Sequence, residues 1–236
     1  MLYTAALFAQ TFFVIRLVLI IVAVSYLLGS IPFGYLLVRI FRGQDVRNTG
    51  SGNIGATNVA RTGSKGLAIA TLLLDALKGY AAVVFAFWLA GRQRFEAPLP
   101  TSIYDRGSPA IDSQTMFLLA ALAALVAILG HMFTVWLRFK GGKGVAAAAG
   151  SFVALAPRAM LVALVLFVLV VALSRYVSLG SIVACAAFPL CVWWLGPAEN
   201  ASGPMLLLIA ASSLLIIIRH KDNIRRLLAG TENRFR

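Results

Sequence analysis

Long apolar stretches alternate along this chain with short polar, glycine-rich ones. Hydrophobic runs occupy residues 12–41, 66–91, 115–138, 144–157, 159–174, 177–196 and 204–219. Several reach the roughly 20 residues that an α-helix needs to cross a ~30 Å hydrocarbon core, while the fourth and fifth are short and separated only by Pro157-Arg158. The pattern predicts an all-α polytopic membrane protein with seven transmembrane helices, some short or broken, in one domain over residues 1–236.

Composition supports this class and excludes a soluble domain. Apolar residues make up 61% of the 236, charged residues only 12%, and mean hydropathy is +0.90. No region is polar and long enough to fold as a separate soluble unit. Met1 to Ile15 contains no Lys or Arg, so it lacks the basic start of a cleaved signal peptide, and the first apolar run is read as a retained span. Cys185 and Cys191 lie inside an apolar run at a spacing that suits neither a zinc site nor a redox pair, which makes them small packed residues.

Charge gives the predicted helices a direction. With seven spans, Arg39, Arg42, Arg47, Arg61, Lys65, Arg138, Lys140, Lys143, Arg175 and the basic tail from Arg219 fall on one side. The other side carries only Arg92, Arg94, Arg106 and Arg158. Positive charge stays in the cytoplasm, so the N-terminus is predicted outside and the C-terminus cytoplasmic. Merging the fourth and fifth runs would put the basic tail outside, which favours seven. In the longest outer loop, about Gly91 to Thr115, Arg92, Arg94 and Arg106 balance Glu96, Asp105 and Asp112, the mark of a solvated connector.

The same topology gathers the polar segments on the cytoplasmic face. The first is the loop Gly50-Ser51-Gly52-Asn53-Ile54-Gly55-Ala56-Thr57-Asn58. It matches G-x-G-x-x-G, but its flanks are transmembrane helices and not a βαβ unit, so dinucleotide binding is rejected. Gly55 is followed by Ala56-Thr57 and not by Lys, so it is no Walker A loop either. What remains is exposed backbone amides with Ser51, Asn53, Thr57 and Asn58 as neutral donors, a set that suits phosphate oxygens; the bland alternative is a re-entrant turn. The second segment, Gly130-His131 through Lys140-Gly141-Gly142-Lys143-Gly144, opens a helix with glycines and a full positive charge. Alone it is equally a glycine-capped membrane anchor, and His131 reads as a packed residue. In the tail, His220 and Asn223 are three apart and share a face of a continuing helix, and Glu232 is placed to tie the tail to the basic loops. A basic amphipathic tail also commonly just rests on anionic headgroups. Asp75 and Lys78, inside the second span, form either an ion pair or a substrate contact.

Taken together, these segments resemble one family. Ser30-Ile31-Pro32-Phe33-Gly34 with the Gly50 to Asn58 loop, Gly130-His131 with Phe139 to Gly144, and Arg219-His220 through Asn223 to Gly230-Thr231-Glu232 are similar, in order and spacing, to the three motifs of the bacterial acyl-phosphate:glycerol-3-phosphate acyltransferases, the PlsY type. The resemblance runs over nearly the whole chain. It implies seven spans in the bacterial cytoplasmic (inner) membrane and an active site facing the cytoplasm. It also implies transfer of a fatty acyl group from acyl phosphate to the sn-1 hydroxyl of glycerol 3-phosphate, giving lysophosphatidic acid and inorganic phosphate, the first acylation of phospholipid synthesis. By position, the resemblance makes Ser51, Arg61, Lys143, Ser181, His220 and Asn223 catalytic. Gly50, Gly52, Asn53, Gly55, Thr57, Asn58, Lys140, Gly141, Gly142, Gly144, Ser178, Arg219 and Glu232 then bind phosphate or substrate. Thr134 stands where the family often has proline, which leaves the bend of that helix end open.

Phosphate is a good leaving group, so a strong protein base is unnecessary and the alcohol proton passes to a substrate phosphate oxygen. The chain agrees: His-x4-Asp is absent, since Trp136 follows His131 and Arg225 follows His220 at that spacing, and there is no G-x-S-x-G elbow. No metal cluster, cofactor motif, nucleic-acid signature or protein partner is legible; the expected partners are acyl phosphate, glycerol 3-phosphate and the lipid bilayer. The rival readings are a transporter for an organic phosphate, which fits the intramembrane Asp75 and Lys78 but lacks an inverted repeat, and a non-catalytic assembly factor.

Overall fold

The computed structural model describes residues 2–92, 111–195 and 202–234, with side chains from Thr11 onward. Most of the expected outer loop, residues 93–110, lies outside the described residues. Every regular element among them is helical. Helix α1 runs Leu2–Ser30 and stops because Pro32 withholds a backbone donor and pushes Ile31 out of helical geometry. The chain restarts as α2, Phe33–Arg42, which Gly43 closes in the left-handed conformation (φ 65°). A 3-10 turn over Val46–Asn48 and a short α3, Ala56–Ala60, bracket the first glycine loop.

Two long helices then form the centre. α4, Lys65–Gly91, begins at Ser64, whose hydroxyl accepts from the Leu67 N–H, and α5, Ser113–Met132, begins at Asp112, whose carboxylate accepts from Thr115 N–H at 2.7 Å. α6 is Val145–Leu155 and α7 is Pro157–Ser174, with proline at the first turn of α7 where its missing N–H costs nothing. α8, Val177–Leu195, carries Pro189 in its interior. α9, Gly203–Arg219, bends by 56° at His220 into α10, Lys221–Leu228.

α4 packs against α1, α5 and α6. Its crossing with α6 is close because a Cβ at Gly150 would run into the Ala76 carbonyl and one at Gly79 into that of Ala147. Beyond it, Phe152 of α6 stacks on Phe188 of α8 with ring centroids 4.1 Å apart, in a core shared with Ile128 of α5 and Ile209 of α9. A separate small core of Val38, Val46, Ile54, Val59 and Leu137 sits under the first glycine loop. The outer surface is strongly apolar: Leu173 is 86% exposed and Trp194 79%, as lipid-facing residues are.

Five segments are long and apolar enough to cross a bilayer: Thr11–Arg42, Lys65–Gly91, Ser113–Leu137, Pro157–Ser174 and Val177–Leu195. Taken as one span, the bent α9–α10 pair raises the number among the described residues to six, against the seven expected from the sequence. The chain is therefore a polytopic helical membrane protein. α6, read from the sequence as the fourth span, has 11 residues and rises about 16 Å, roughly half a hydrocarbon core.

Candidate active site

The first loop is organised around one side chain. Asn58, buried on α3, donates through Nδ2 to the carbonyls of Val46 (2.9 Å), Thr49 (2.9 Å) and Asn53 (2.7 Å), and its Oδ1 accepts from Ser51 N–H at 2.9 Å. Its amide is thus spent on shaping the loop. Asn53 Oδ1 accepts from Gly55 N–H (2.8 Å), an Asx turn that starts α3. Gly50 and Gly52 take left-handed φ values of 56° and 69°. Ser51, Thr57 and Arg61 remain exposed, and Arg61 lies over Gly50.

The second loop is folded back onto the end of α5. Thr134 closes that helix end: its hydroxyl donates to Ser30 O at 2.5 Å, and its carbonyl accepts from Phe139 N–H at 2.9 Å. The bend therefore forms without proline. Gly141 N–H donates to Met132 O (3.1 Å) and Gly142 N–H to His131 O (3.0 Å). Gly142 lies so close to the His131 imidazole that any Cβ would collide with it, which makes glycine the residue that fits. Arg219 pins the same segment, donating to the carbonyls of Met132 (3.1 Å) and Gly142 (3.2 Å) while stacking over Phe133. Gly144 begins α6 at φ 89°, leaving Lys143 half-buried above it and Lys140 exposed.

The tail completes the arrangement, though not as a continuing helix. His220 sits at the joint between α9 and α10, where Nδ1 meets Ile216 O at 2.8 Å. A carbonyl only accepts, so Nδ1 carries the proton and a neutral ring has Nε2 free as an acceptor. Lys143 Nζ donates to Asn223 Oδ1. Asn223 Nδ2 donates to Glu232 Oε1 at 2.6 Å, Ser178 Oγ donates to the same oxygen at 2.7 Å, and Arg226 Nε donates to Oε2 at 2.7 Å. Ser181, buried one turn further along α8, donates back to Val177 O at 2.9 Å. Ser178 after α7 bonds Glu232 directly and Lys143 before α6 reaches it through Asn223, so the α6–α7 pair leaves from and returns to one end of the bundle.

Electrostatics follow from this packing. Burial pushes the Lys143 ammonium down to about 8; Glu232 and Asp222 pull it up, Arg226 and Arg61 push it further down. Arg61, from the end of the first loop, is thus among the charges that act on Lys143. Burial opposes ionisation of Glu232, but hydrogen bonds from Asn223, Ser178 and Arg226 outweigh it and hold the carboxyl below its ordinary range. The result is a cationic cluster built around one caged carboxylate.

Comparison with known proteins agrees with this geometry. The sequence model described as glycerol-3-phosphate acyltransferase matches residues 19–230. The chain belongs to the glycerol-3-phosphate acyltransferase family. A relative of that name from Rhodopseudomonas palustris is 47% identical over 210 residues, covering 89% of this chain and 92% of its own. One from Geobacter sulfurreducens is 45% identical, covering 92% of this chain and 97% of its own. The crystal structure of PlsY, an integral membrane glycerol 3-phosphate acyltransferase, in its glycerol 3-phosphate form superposes with a TM-score of 0.77 at 34% identity, covering 93% of this chain and 96% of that one. Its lysophosphatidic acid form gives 0.74 at 32% identity.

Within this acyltransferase, two participants escape sequence reading. Arg226 closes the Glu232 cage, and its signal was the Gly230 turn (φ 68°) that folds Glu232 back over α10. His131, read as merely packed, faces the Asp75–Lys78 pair across α4 and α5, a contact between distant segments that spacing cannot reveal.

Proposed function

We propose that this acyltransferase moves a fatty acyl group from acyl phosphate to the sn-1 hydroxyl of glycerol 3-phosphate, giving lysophosphatidic acid and inorganic phosphate at the cytoplasmic face of a bacterial inner membrane. The observation that carries the reading is the chain of bonds from Lys143 through Asn223 to Glu232, closed by Arg226. Both substrates bring phosphate, and the cluster brings fixed cations and oriented donors to it.

In the reaction, the alcohol oxygen attacks the acyl carbon, the carbon–oxygen bond to phosphate breaks, and the alcohol proton passes to a substrate phosphate oxygen. Lys143 and Arg61 stabilise the charge gathering on the departing phosphate; the amides of Ser51, Gly52, Gly55, Gly141 and Gly142, expected from the sequence to bind phosphate, are instead bonded within the loops. Ser51 and Thr57 supply neutral donors at the mouth, Ser181 and Ser178 border the site from α8, and His220 Nε2 offers an acceptor that orients the attacking hydroxyl. Asn58 and Arg219 hold the two loops in shape through the bonds described above.

Seven spans with the N-terminus outside are part of the same proposal. Support comes from the short α6 and its return through α7, which bring Lys143 and Ser178 to the same Asn223–Glu232 pair, and from the basic residues gathered at that end.

The test is acyl transfer by the purified protein in detergent. Lysophosphatidic acid is expected from glycerol 3-phosphate when acyl phosphate is supplied, and not when acyl-CoA or acyl carrier protein replaces it. Equal product from the thioester donors would overturn the donor assignment. Uptake of labelled glycerol phosphate into liposomes without acylation would establish the transporter instead.

A further inference from the structure

Three polar side chains that no step above uses are buried together beneath both loops. Asp75 and Lys78, one turn apart on α4, form an ion pair at 2.7 Å with each side chain 2% exposed. His131 Nδ1 on α5 lies 3.6 Å from the same Asp75 oxygen and is 3% exposed. We propose that Asp75, Lys78 and His131 are positioning residues that set the first glycine loop against the Lys143 loop, and thereby the fit of the site to its glycerol phosphate substrate. This inference rests on the function proposed above.

Each end of the cluster holds the root of one loop. Lys78 Nζ donates to Ile31 O at 2.7 Å, at the break where α1 stops and α2 turns away, and it lies over the Phe33 ring at 5.7 Å. The Ile31 carbonyl, just past the negative end of the α1 dipole, accepts from Phe33 N–H (3.1 Å) as well as from the Lys78 ammonium, which together fix where α2 begins. α2 carries the first loop: Gly34 backs directly onto the Ile54 carbonyl, and Val38 packs with Val46, Ile54 and Val59. At the other end, the His131 ring is the surface on which Gly142 rests, one residue before Lys143, and His131 O accepts from Gly142 N–H. The path Ile31–Lys78–Asp75–His131–Gly142 thus links both loops through side chains of two adjacent helices.

Holding helices together does not require this chemistry. Charges inside a membrane span are costly, and apolar residues of similar volume commonly replace a buried ion pair without loss of stability. α4 already meets α6 backbone to backbone at Gly79 and Gly150. What apolar residues cannot do is bond the Ile31 carbonyl or face His131.

The experiment separates positioning from stability with Asp75→Leu/Lys78→Met, an uncharged pair of similar size. Wild-type protein is first shown to make lysophosphatidic acid from acyl phosphate, so that failure of the proposed reaction itself is seen separately. The double variant is expected to purify as a folded protein with a wild-type or higher thermal midpoint in detergent. Its KM for glycerol 3-phosphate is expected to rise tenfold or more, with glycerol 3-phosphate binding by calorimetry weakened in parallel and the KM for acyl phosphate changed less than threefold. His131→Leu is expected to show the same KM split, and His131→Asn, which keeps a donor toward Asp75, to recover most of it. Wild-type KM in the double variant or in His131→Leu would overturn the proposal. So would a double variant that does not fold, because the cluster would then be holding the bundle together and not placing its loops.

Discussion

Asn223 donates to Glu232 at 2.6 Å while accepting from Lys143, so a tail carboxylate and a loop ammonium are joined through a single amide. The three residues come from the loop before α6, from α10 and from the chain beyond Gly230. Each lies at the end of a different stretch of sequence, and the amide's two-sided chemistry, one acceptor and one donor group, lets it bridge charges of opposite sign.

Removing the carboxylate should therefore cost both fold and activity. In Glu232→Ala, Ser178 Oγ, Asn223 Nδ2 and Arg226 Nε lose a shared acceptor in a largely enclosed position. Leaving such groups unpaired costs about 1–3 kcal/mol each in buried settings, less here because Arg226 reaches solvent. The expected result is a clear fall in the thermal midpoint with acyl transfer reduced at least ~100-fold, since Asn223 no longer orients Lys143. Glu232→Gln, which keeps an acceptor for Asn223 and Ser178, should retain most of the midpoint. A normal midpoint in Glu232→Ala would remove the cage from the list of things that hold the tail.

Lys143 gives a pH dependence with a definite sign. Burial brings its ammonium down to about 8 in the folded protein, from an ordinary value of 10.5. The charged form is present below that value and lost above it, so kcat/KM for glycerol 3-phosphate is expected to fall as pH rises through about 8. Lys143→Arg stays charged throughout and should lose this limb, whatever its overall rate. Stability runs the other way: between about 8 and 10.5 the unfolded chain binds more protons at this residue than the native one, so its contribution to stability rises with pH in that window. Lys143→Met should accordingly abolish acyl transfer while matching or exceeding the wild-type thermal midpoint at pH 7. Profiles of kcat/KM from pH 6.5 to 9.5 for wild type and Lys143→Arg check the first part, and a retained limb in the arginine variant would refute it.

The sequence already displays the apolar runs, the three polar segments and the residues within them, because membrane spans and glycine loops are local compositional features. It does not display the break at His220. The apolar run ends at Arg219 and a polar helix follows at once, so periodicity suggests continuity where the chain bends by 56°. Nor does it separate the two kinds of work done by loop residues. Ser51 and Asn58 look alike as neutral donors, yet one is exposed and the other is buried with its amide bonded to three carbonyls. Asp75 and Lys78 are legible as an i, i+3 pair, whereas their third member arrives from another helix and only tertiary structure supplies it.

Asn58 is accordingly expected to fail through shape and not through lost ligand contact. Asn58→Ala leaves the carbonyls of Val46, Thr49 and Asn53 without their shared donor and releases Ser51 N–H. Acyl transfer should drop more than ~100-fold, and backbone amides over residues 46–58 should exchange with solvent much faster, while the helices of the bundle keep their protection. If exchange in the loop were unchanged and only the KM rose, Asn58 would be a direct phosphate ligand instead.

The α4–α6 crossing makes the last prediction, because there the two backbones approach each other at Gly79 and Gly150. A Cβ on Gly150 would fall on the Ala76 carbonyl, backbone that cannot swing aside, so Gly150→Val must push α6 off α4. α6 starts immediately after Lys143 and Gly144, and its displacement moves the ammonium away from Asn223. Overpacking of this kind costs about 1–3 kcal/mol, and here the loss falls on the helix that the Lys143 loop opens. Gly150→Val should therefore show both a lowered thermal midpoint and a rate loss larger than that midpoint explains at assay temperature. The control is Val153→Leu on the same helix, at a position 46% exposed, which should leave both near wild type. Equal behaviour of the two variants would mean that close approach at Gly150 does not set where Lys143 stands.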